Sequence, residues 1–295
     1  MLFHRIPVRA VIDAARGVAP WGLPTALACI AAIYLCDSFA IWKTFGWFVA
    51  PMSFRDVLAV RGATYLLAAI NYNIGQGAIA YFVHKTAGVP IRRGLAAILL
   101  IMGINVLALM VLATVGTVAA ADVPHAVAIV LAVAYAGLAL YAVALATRPR
   151  WLVSRPLFDV LLGAGIRGHL RALLVRLPHT AAVVIFQIVM FRAFHVAVPI
   201  VSAAAVLPVV FLVSVLPISI QGLGTTQAAM VYFFARYAAG NPEAQAASVL
   251  AASLVGQTLA LAFQALLGVA CLRTKVGRAV ASGPMSPPAS MGPVR

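Results

Sequence analysis

Long apolar stretches, each close to the length of a bilayer-crossing helix, alternate along the chain with short polar and mostly basic segments. A helix that crosses the hydrocarbon core needs about 20 predominantly apolar residues. By that measure eight spans are expected, near residues 22 to 42, 62 to 83, 94 to 119, 124 to 147, 178 to 198, 200 to 220, 224 to 239 and 247 to 271. The seventh is the shortest and reads as a short or partly re-entrant helix. The expected fold class is all-α: a polytopic integral membrane bundle of about eight spans with broken or re-entrant helices. A basic segment, 1–21, precedes the bundle at 22–272, and a Pro-, Ser- and Gly-rich tail, 273–295, follows it and is expected to be disordered.

Basic residues give the orientation, because cytoplasmic loops retain Lys and Arg. With eight spans, one side gathers Arg5, Arg9, Arg16, Lys85, Arg92, Arg93, Arg148, Arg150, Arg155, Arg167, Arg171, Arg176, Arg273, Lys275, Arg278 and Arg295. The other side and the spans share Lys43, Arg55, Arg61, Arg192 and Arg236, and Asp56, Asp122 and Glu243 fall in the outer loops. Both termini are therefore expected in the cytoplasm. Deleting the seventh span would move Arg273, Lys275 and Arg278 outside, against the rule, so it is kept. The first span reads as uncleaved, since basic residues and Asp13 run up to Arg16 and the apolar stretch beyond reaches spanning length. Between residues 156 and 176, leucines alternate with Arg167, Arg171 and Arg176 at near-helical spacing, as in an interfacial amphipathic helix on an anionic leaflet. A basic connector with no further role fits the same residues.

Composition agrees with a membrane protein. The chain is 64% hydrophobic and 9% charged, with a mean hydropathy of +1.06, too apolar to clothe a soluble globule. The net charge of +15 does not indicate nucleic acid, because the basic residues lie between spans and not on a folded domain. The longest stretch between spans, about 30 residues, is far below domain size. No phosphate-binding loop, HExxH or nucleophile elbow is present. Cys29, Cys36 and Cys271 lie inside spans without CxxC spacing and read as small core residues, so neither a disulfide framework, a metal nor a cofactor is called for.

The candidate chemistry centres on Leu216-Pro217-Ile218-Ser219-Ile220-Gln221-Gly222-Leu223-Gly224-Thr225-Thr226-Gln227, where a proline and two glycines interrupt an apolar stretch. Irregular backbone at membrane depth persists only where protein buries it or it lines a polar cavity, and such breaks mark substrate sites in transporters. If Gly222 and Gly224 break the helix, Thr225 or Thr226 is placed to cap the next one, whose free N–H groups suit a phosphate. Ser219, Gln221 and Gln227 would add polar contacts. Close helix packing is the other use of such glycines. Asn71, Asn73 and Gln76, beside Gly75 and Gly77, form a possible partner site in the second span. The two Gly-x-Gly elements, followed by Tyr81-Phe82 and Tyr232-Phe233, would then be related as in an inverted repeat. Ionisable residues within spans are costly and draw a functional hypothesis by default. Asp37, Arg61 and Arg192 qualify, with Arg236 near an interface, and Asp37 is placed to pair with Arg61 or Arg192.

The stretch from Leu216 to Gly224 resembles the late "LPISIGGLG" signature, usually followed by a glutamate, of the flippase-like lysylphosphatidylglycerol synthase transmembrane-domain family. Asn71-Tyr72-Asn73-Ile74-Gly75-Gln76-Gly77, with Lys85 and Gly88-Val89-Pro90 after it, is similar to the family's glycine-rich segment and the basic loop that follows. The similarity runs over about residues 20 to 275. It departs at Gln221, where the family usually has glycine, and at Gln227, roughly where it often has glutamate. The resemblance implies a multi-pass protein of a bacterial inner membrane that binds, and moves between leaflets, a lipid or lipid-linked sugar with an anionic headgroup. It implies the membrane part alone, with no aminoacyl-transfer domain, and so not an enzyme. Two other readings stay open: an intramembrane lipid-modifying transferase acting through His179 or His195 with amides or Asp37 as acid and base, and a non-catalytic scaffold for a partner enzyme of lipid or envelope-glycan synthesis.

Overall fold

The structure, a computed structural model, describes residues 6–274 apart from 121, 154 and 215–223. Among the described residues every element is helical, and the one strand-like feature is an isolated antiparallel bridge between Val196 and Ala238. A short helix α1 (Val8–Arg16) leads into α2 (Gly22–Phe48). Next come α3 (Phe54–Ile70), α4 (Tyr72–Ala87), α5 (Ile91–Ala119) and α6 (His125–Thr147). A four-residue α7 (Arg150–Val153) precedes α8 (Asp159–Ala193), α9 (Ile200–Ser214), α10 (Thr225–Phe234) and α11 (Pro242–Leu272). Five of these, α2, α5, α6, α8 and α11, are long and apolar enough to cross a membrane. Helix α9 is apolar but shorter.

The stretch expected as the second span, 62 to 83, is not one helix. It contains the end of α3 and most of α4, which fold back and pack on each other. The reversal has a local cause. Asn71 adopts an extended conformation (φ −153°, ψ 125°), and its Oδ1 accepts hydrogen bonds from the N–H groups of Asn73 (2.9 Å) and Ile74 (3.3 Å), capping α4 within one residue of the end of α3. Across the turn Gly75 meets α3 so closely that an added Cβ would lie 2.4 Å from Cβ of Ala68 and 2.6 Å from its Cα. The hairpin opens at Ser53, whose Oγ accepts the Asp56 N–H, and closes at Gly88, left-handed at φ 66°.

The amphipathic stretch near 156–176 is not a separate interfacial helix either. It runs into α8, broken only at Gly165 (φ 57°, ψ −178°). From Ile166 to Ala193 the helix is unbroken despite Pro178, so Arg176 lies within a membrane-length helix and is buried, not in a cytoplasmic connector.

The chain divides into two compact units. One comprises Met1–Cys36, Asn105–Val143 and Arg176–Phe263. Its core is a continuous cluster that includes Phe191, Phe194, Leu207, Met230 and Phe234, with the Phe191 and Phe234 rings 4.9 Å apart. Within it α9 and α10 pack together. The segments that flank this pair are joined by the Val196–Ala238 bridge and by the Ala197 N–H, which donates to Tyr237 O at 2.9 Å. The other unit comprises Asp37–Ile104, Ala144–Val175 and Gln264–Arg295 and is centred on the α3–α4 hairpin. There the Arg93 guanidinium donates to Phe48 O at 3.3 Å, joining the start of α5 to the end of α2.

Candidate functional site

Polar side chains in the first unit lie on α5, α8, α10 and α11. On α8, Arg176, Thr180, Val184, Gln187 and Phe191 recur every three or four residues and are all buried, so they share one face. Arg176, 5% exposed, donates from Nε to Asn105 Oδ1 of α5 at 3.1 Å. Gln187 is also 5% exposed, and its Nε2 has no hydrogen-bond partner among the described residues. Phe186 and Met190, which flank Gln187, meet Gly256 of α11, where an added Cβ would lie 3.1 Å from Met190 Cγ. The next residue on α11 is Gln257.

Gln257 reaches the start of α10. Its Oε1 accepts a hydrogen bond from Gln227 Nε2 at 2.6 Å, while Gln227 Oε1 accepts the Gly224 N–H at 2.7 Å. The backbone donor fixes which amide atom of Gln227 is the oxygen. Gly224, at φ 89°, is the residue that caps α10, in a backbone conformation that L side chains rarely adopt. Thr225 is the first helical residue and is exposed, so neither it nor Thr226 is the cap that the sequence suggested. Gln227, 2% exposed, spends both ends of its amide on the protein, which makes it a fastening of the broken helix more than a free donor to a ligand. Ser219, Gln221 and Gly222 lie outside the described residues.

The residues expected as a partner site belong to the second unit. Asn71 is the cap of α4, Asn73 is exposed and Gln76 is buried. Gly75 is consumed by packing against Ala68, whereas nothing lies within 4 Å of a Cβ at Gly77. Of the two partners weighed for Asp37, the structure selects Arg61: its Nε hydrogen-bonds Asp37 Oδ2, and the guanidinium stacks on Tyr65 at 4.5 Å. Arg192 is exposed and donates to Val198 O at 3.1 Å, and Arg236 donates to the Tyr237 hydroxyl. His179 and His195 each hydrogen-bond a backbone carbonyl, Ile33 O at 3.3 Å and Gly17 O at 3.2 Å.

Sequence reasoning missed the Arg176–Asn105 and Gln227–Gln257 hydrogen bonds and the buried amide of Gln187. The signal available was the spacing of Arg176, Thr180 and Gln187 on a single helical face. It was hidden by treating Arg176 as the end of an interfacial helix. No family model matches the chain, and no curated protein matches it.

Proposed function

We propose that this protein binds a lipid or lipid-linked amphiphile with an anionic headgroup and moves it between the leaflets of a bacterial inner membrane, without catalysing a reaction. The observation that carries this reading is Arg176, a permanently charged guanidinium buried in an apolar helix. A buried guanidinium has the chemistry to hold a phosphate or phosphate-ester headgroup. The broken start of α10 and the family resemblance of residues 216–224 support the same reading. A partner enzyme of envelope-lipid synthesis would then supply the lipid on one face or consume it on the other.

The chain has no nucleotide-binding motif, so a lipid gradient, consumption of the lipid on the far side or coupled ion movement would drive transport. Proton coupling through Asp37 would require breaking its pair with Arg61, because that carboxylate is already engaged.

The test is reconstitution in liposomes with fluorescent phospholipid and polyprenyl-phosphate probes, reading probe accessibility across the bilayer for wild type, Arg176→Gln and Gly224→Leu. Accelerated exchange of an anionic probe that both substitutions slow at least tenfold is the expected result. Folded wild-type protein that accelerates no probe would overturn the proposal.

A further inference from the structure

We infer that the described chain crosses the membrane an odd number of times, which puts helix α1 on the outer membrane surface, beside the end of α8. Three observations converge on this, and none depends on the transport proposal.

The first is the α3–α4 hairpin. An unbroken helix at 62 to 83 would contribute one crossing, whereas two helices folded on each other return the chain to the face it left, whatever depth they reach. The Arg93–Phe48 hydrogen bond holds the two ends of that excursion together. The second is the pair α9–α10, whose flanking segments are joined through Ala197 to Tyr237 and Val196 to Ala238, so this excursion also begins and ends on one face. The five long helices then set the parity, which is odd.

The third observation fixes the face of the N-terminus directly. His195 Nε2 hydrogen-bonds Gly17 O at 3.2 Å, and the Ala19 N–H donates to Ala193 O at 2.9 Å. His195, two residues beyond α8, is left-handed at φ 59°. Helix α8 is long and apolar enough to cross the membrane, so its last turn and the loop after it lie on one face. Gly17 therefore shares the face of the end of α8. The eight-span reading puts Gly17 and His195 on opposite sides of a core about 30 Å thick, which a 3.2 Å contact forbids.

The revised path keeps the basic asymmetry. Among the described residues, apart from buried Arg61 and Arg176, only Arg9, Arg16, Arg192 and Arg236 fall on the outer face, and the other eleven basic residues fall on the face that the rule assigns to the cytoplasm. Helix α1 suits a membrane surface. Val8 (73% exposed) and Ile12 (47% exposed) are one turn apart, Arg9 and Arg16 flank them, and Ala10, Val11, Ala14 and Ala15 pack on the core.

Single cysteines introduced as Asp13→Cys, Glu243→Cys and Arg150→Cys, in a background with Cys29, Cys36 and Cys271 replaced by alanine, are treated with a membrane-impermeant maleimide in spheroplasts and again after lysis. All three positions are exposed. Positions 13 and 243 should label in intact spheroplasts and position 150 only after lysis. An epitope tag placed ahead of Met1 and probed by antibody on intact spheroplasts checks the same point without touching any cysteine. Position 13 and the tag reacting only after lysis, while position 243 reacts before it, would overturn the inference.

Discussion

Arg61 of α3 hydrogen-bonds through Nε to the carboxylate of Asp37 on α2, and the same guanidinium lies 4.5 Å from the centre of the Tyr65 ring. Both charged groups are buried. The pair joins the α3–α4 hairpin to α2 by an interaction whose two members cannot be removed independently. A buried charge stripped of its partner costs about 3–5 kcal/mol, whereas replacing both members with apolar residues of similar volume is often neutral. Asp37→Leu and Arg61→Met should each lower the melting temperature of the purified protein, and the double variant should recover most of the loss. Additive losses in the double variant would show that the pair does not act as a unit.

Gly75 and Gly77 are two residues apart in the same glycine-rich segment, but their surroundings are opposite. A methyl group at Gly75 would collide with backbone and Cβ of Ala68, and backbone cannot move aside cheaply. Gly75→Ala should therefore part the hairpin, with an overpacking cost of about 1–3 kcal/mol. At Gly77 there is open space, and alanine's better helix propensity should leave stability unchanged or raise it by up to about 1 kcal/mol. Thermal unfolding in one detergent compares the two. Equal effects would remove the packing explanation.

The long apolar helices were legible because length and hydropathy alone specify them: α2, α5, α6 and α11 fall where a measure of about 20 residues puts them. The reversal at Asn71 was not legible by that measure, since residues 62 to 83 are long enough to cross. What marks it is local, an asparagine cap after an apolar run and a glycine one turn later, and such signals carry little weight against a continuous hydrophobic window. Arg176 was misread for the complementary reason. Three arginines spaced along leucines look interfacial, and nothing in the sequence shows that Arg167 and Arg171 stay exposed while Arg176, one turn beyond, is buried against Asn105. The ion pair of Asp37 was foreseen as one of two alternatives. The choice between them depended on the hairpin, which brings α3 to α2.

Gln227 fastens the start of α10 through both atoms of its amide, so substitutions there should separate its two roles. Gln227→Glu keeps an oxygen for the Gly224 N–H, and the Gln257 amide has only to rotate to become the donor. Gln227→Ala removes both bonds and leaves Gly224 N–H and Gln257 without their partners, at about 1–3 kcal/mol for a buried unsatisfied group. The expected order of melting temperature is wild type, then glutamate close behind, then alanine. In the Gln257→Leu background the glutamate would lose its donor, so Gln227→Glu should become nearly as damaging as alanine. A glutamate variant that is worst in both backgrounds would contradict this reading of the amide pair.

Arg176 separates stability from ligand recognition, because its Nε bond to Asn105 needs only a donor while attraction for an anionic headgroup needs the charge. Arg176→Gln is a neutral side chain able to donate to Asn105 from a similar position, so the fold should persist with a modest change in melting temperature. Arg176→Met removes the donor as well and leaves the Asn105 oxygen without this bond, which should cost about 1–3 kcal/mol. If the charge serves a lipid phosphate, both variants should lose binding of an anionic lipid probe by at least tenfold, and Arg176→Lys should retain part of it, since an ammonium supplies charge without the planar fork of a guanidinium. Binding measured by probe fluorescence in nanodiscs, set beside melting temperature, distinguishes the cases. A glutamine variant with native stability and undiminished binding would confine Arg176 to holding α8 against α5.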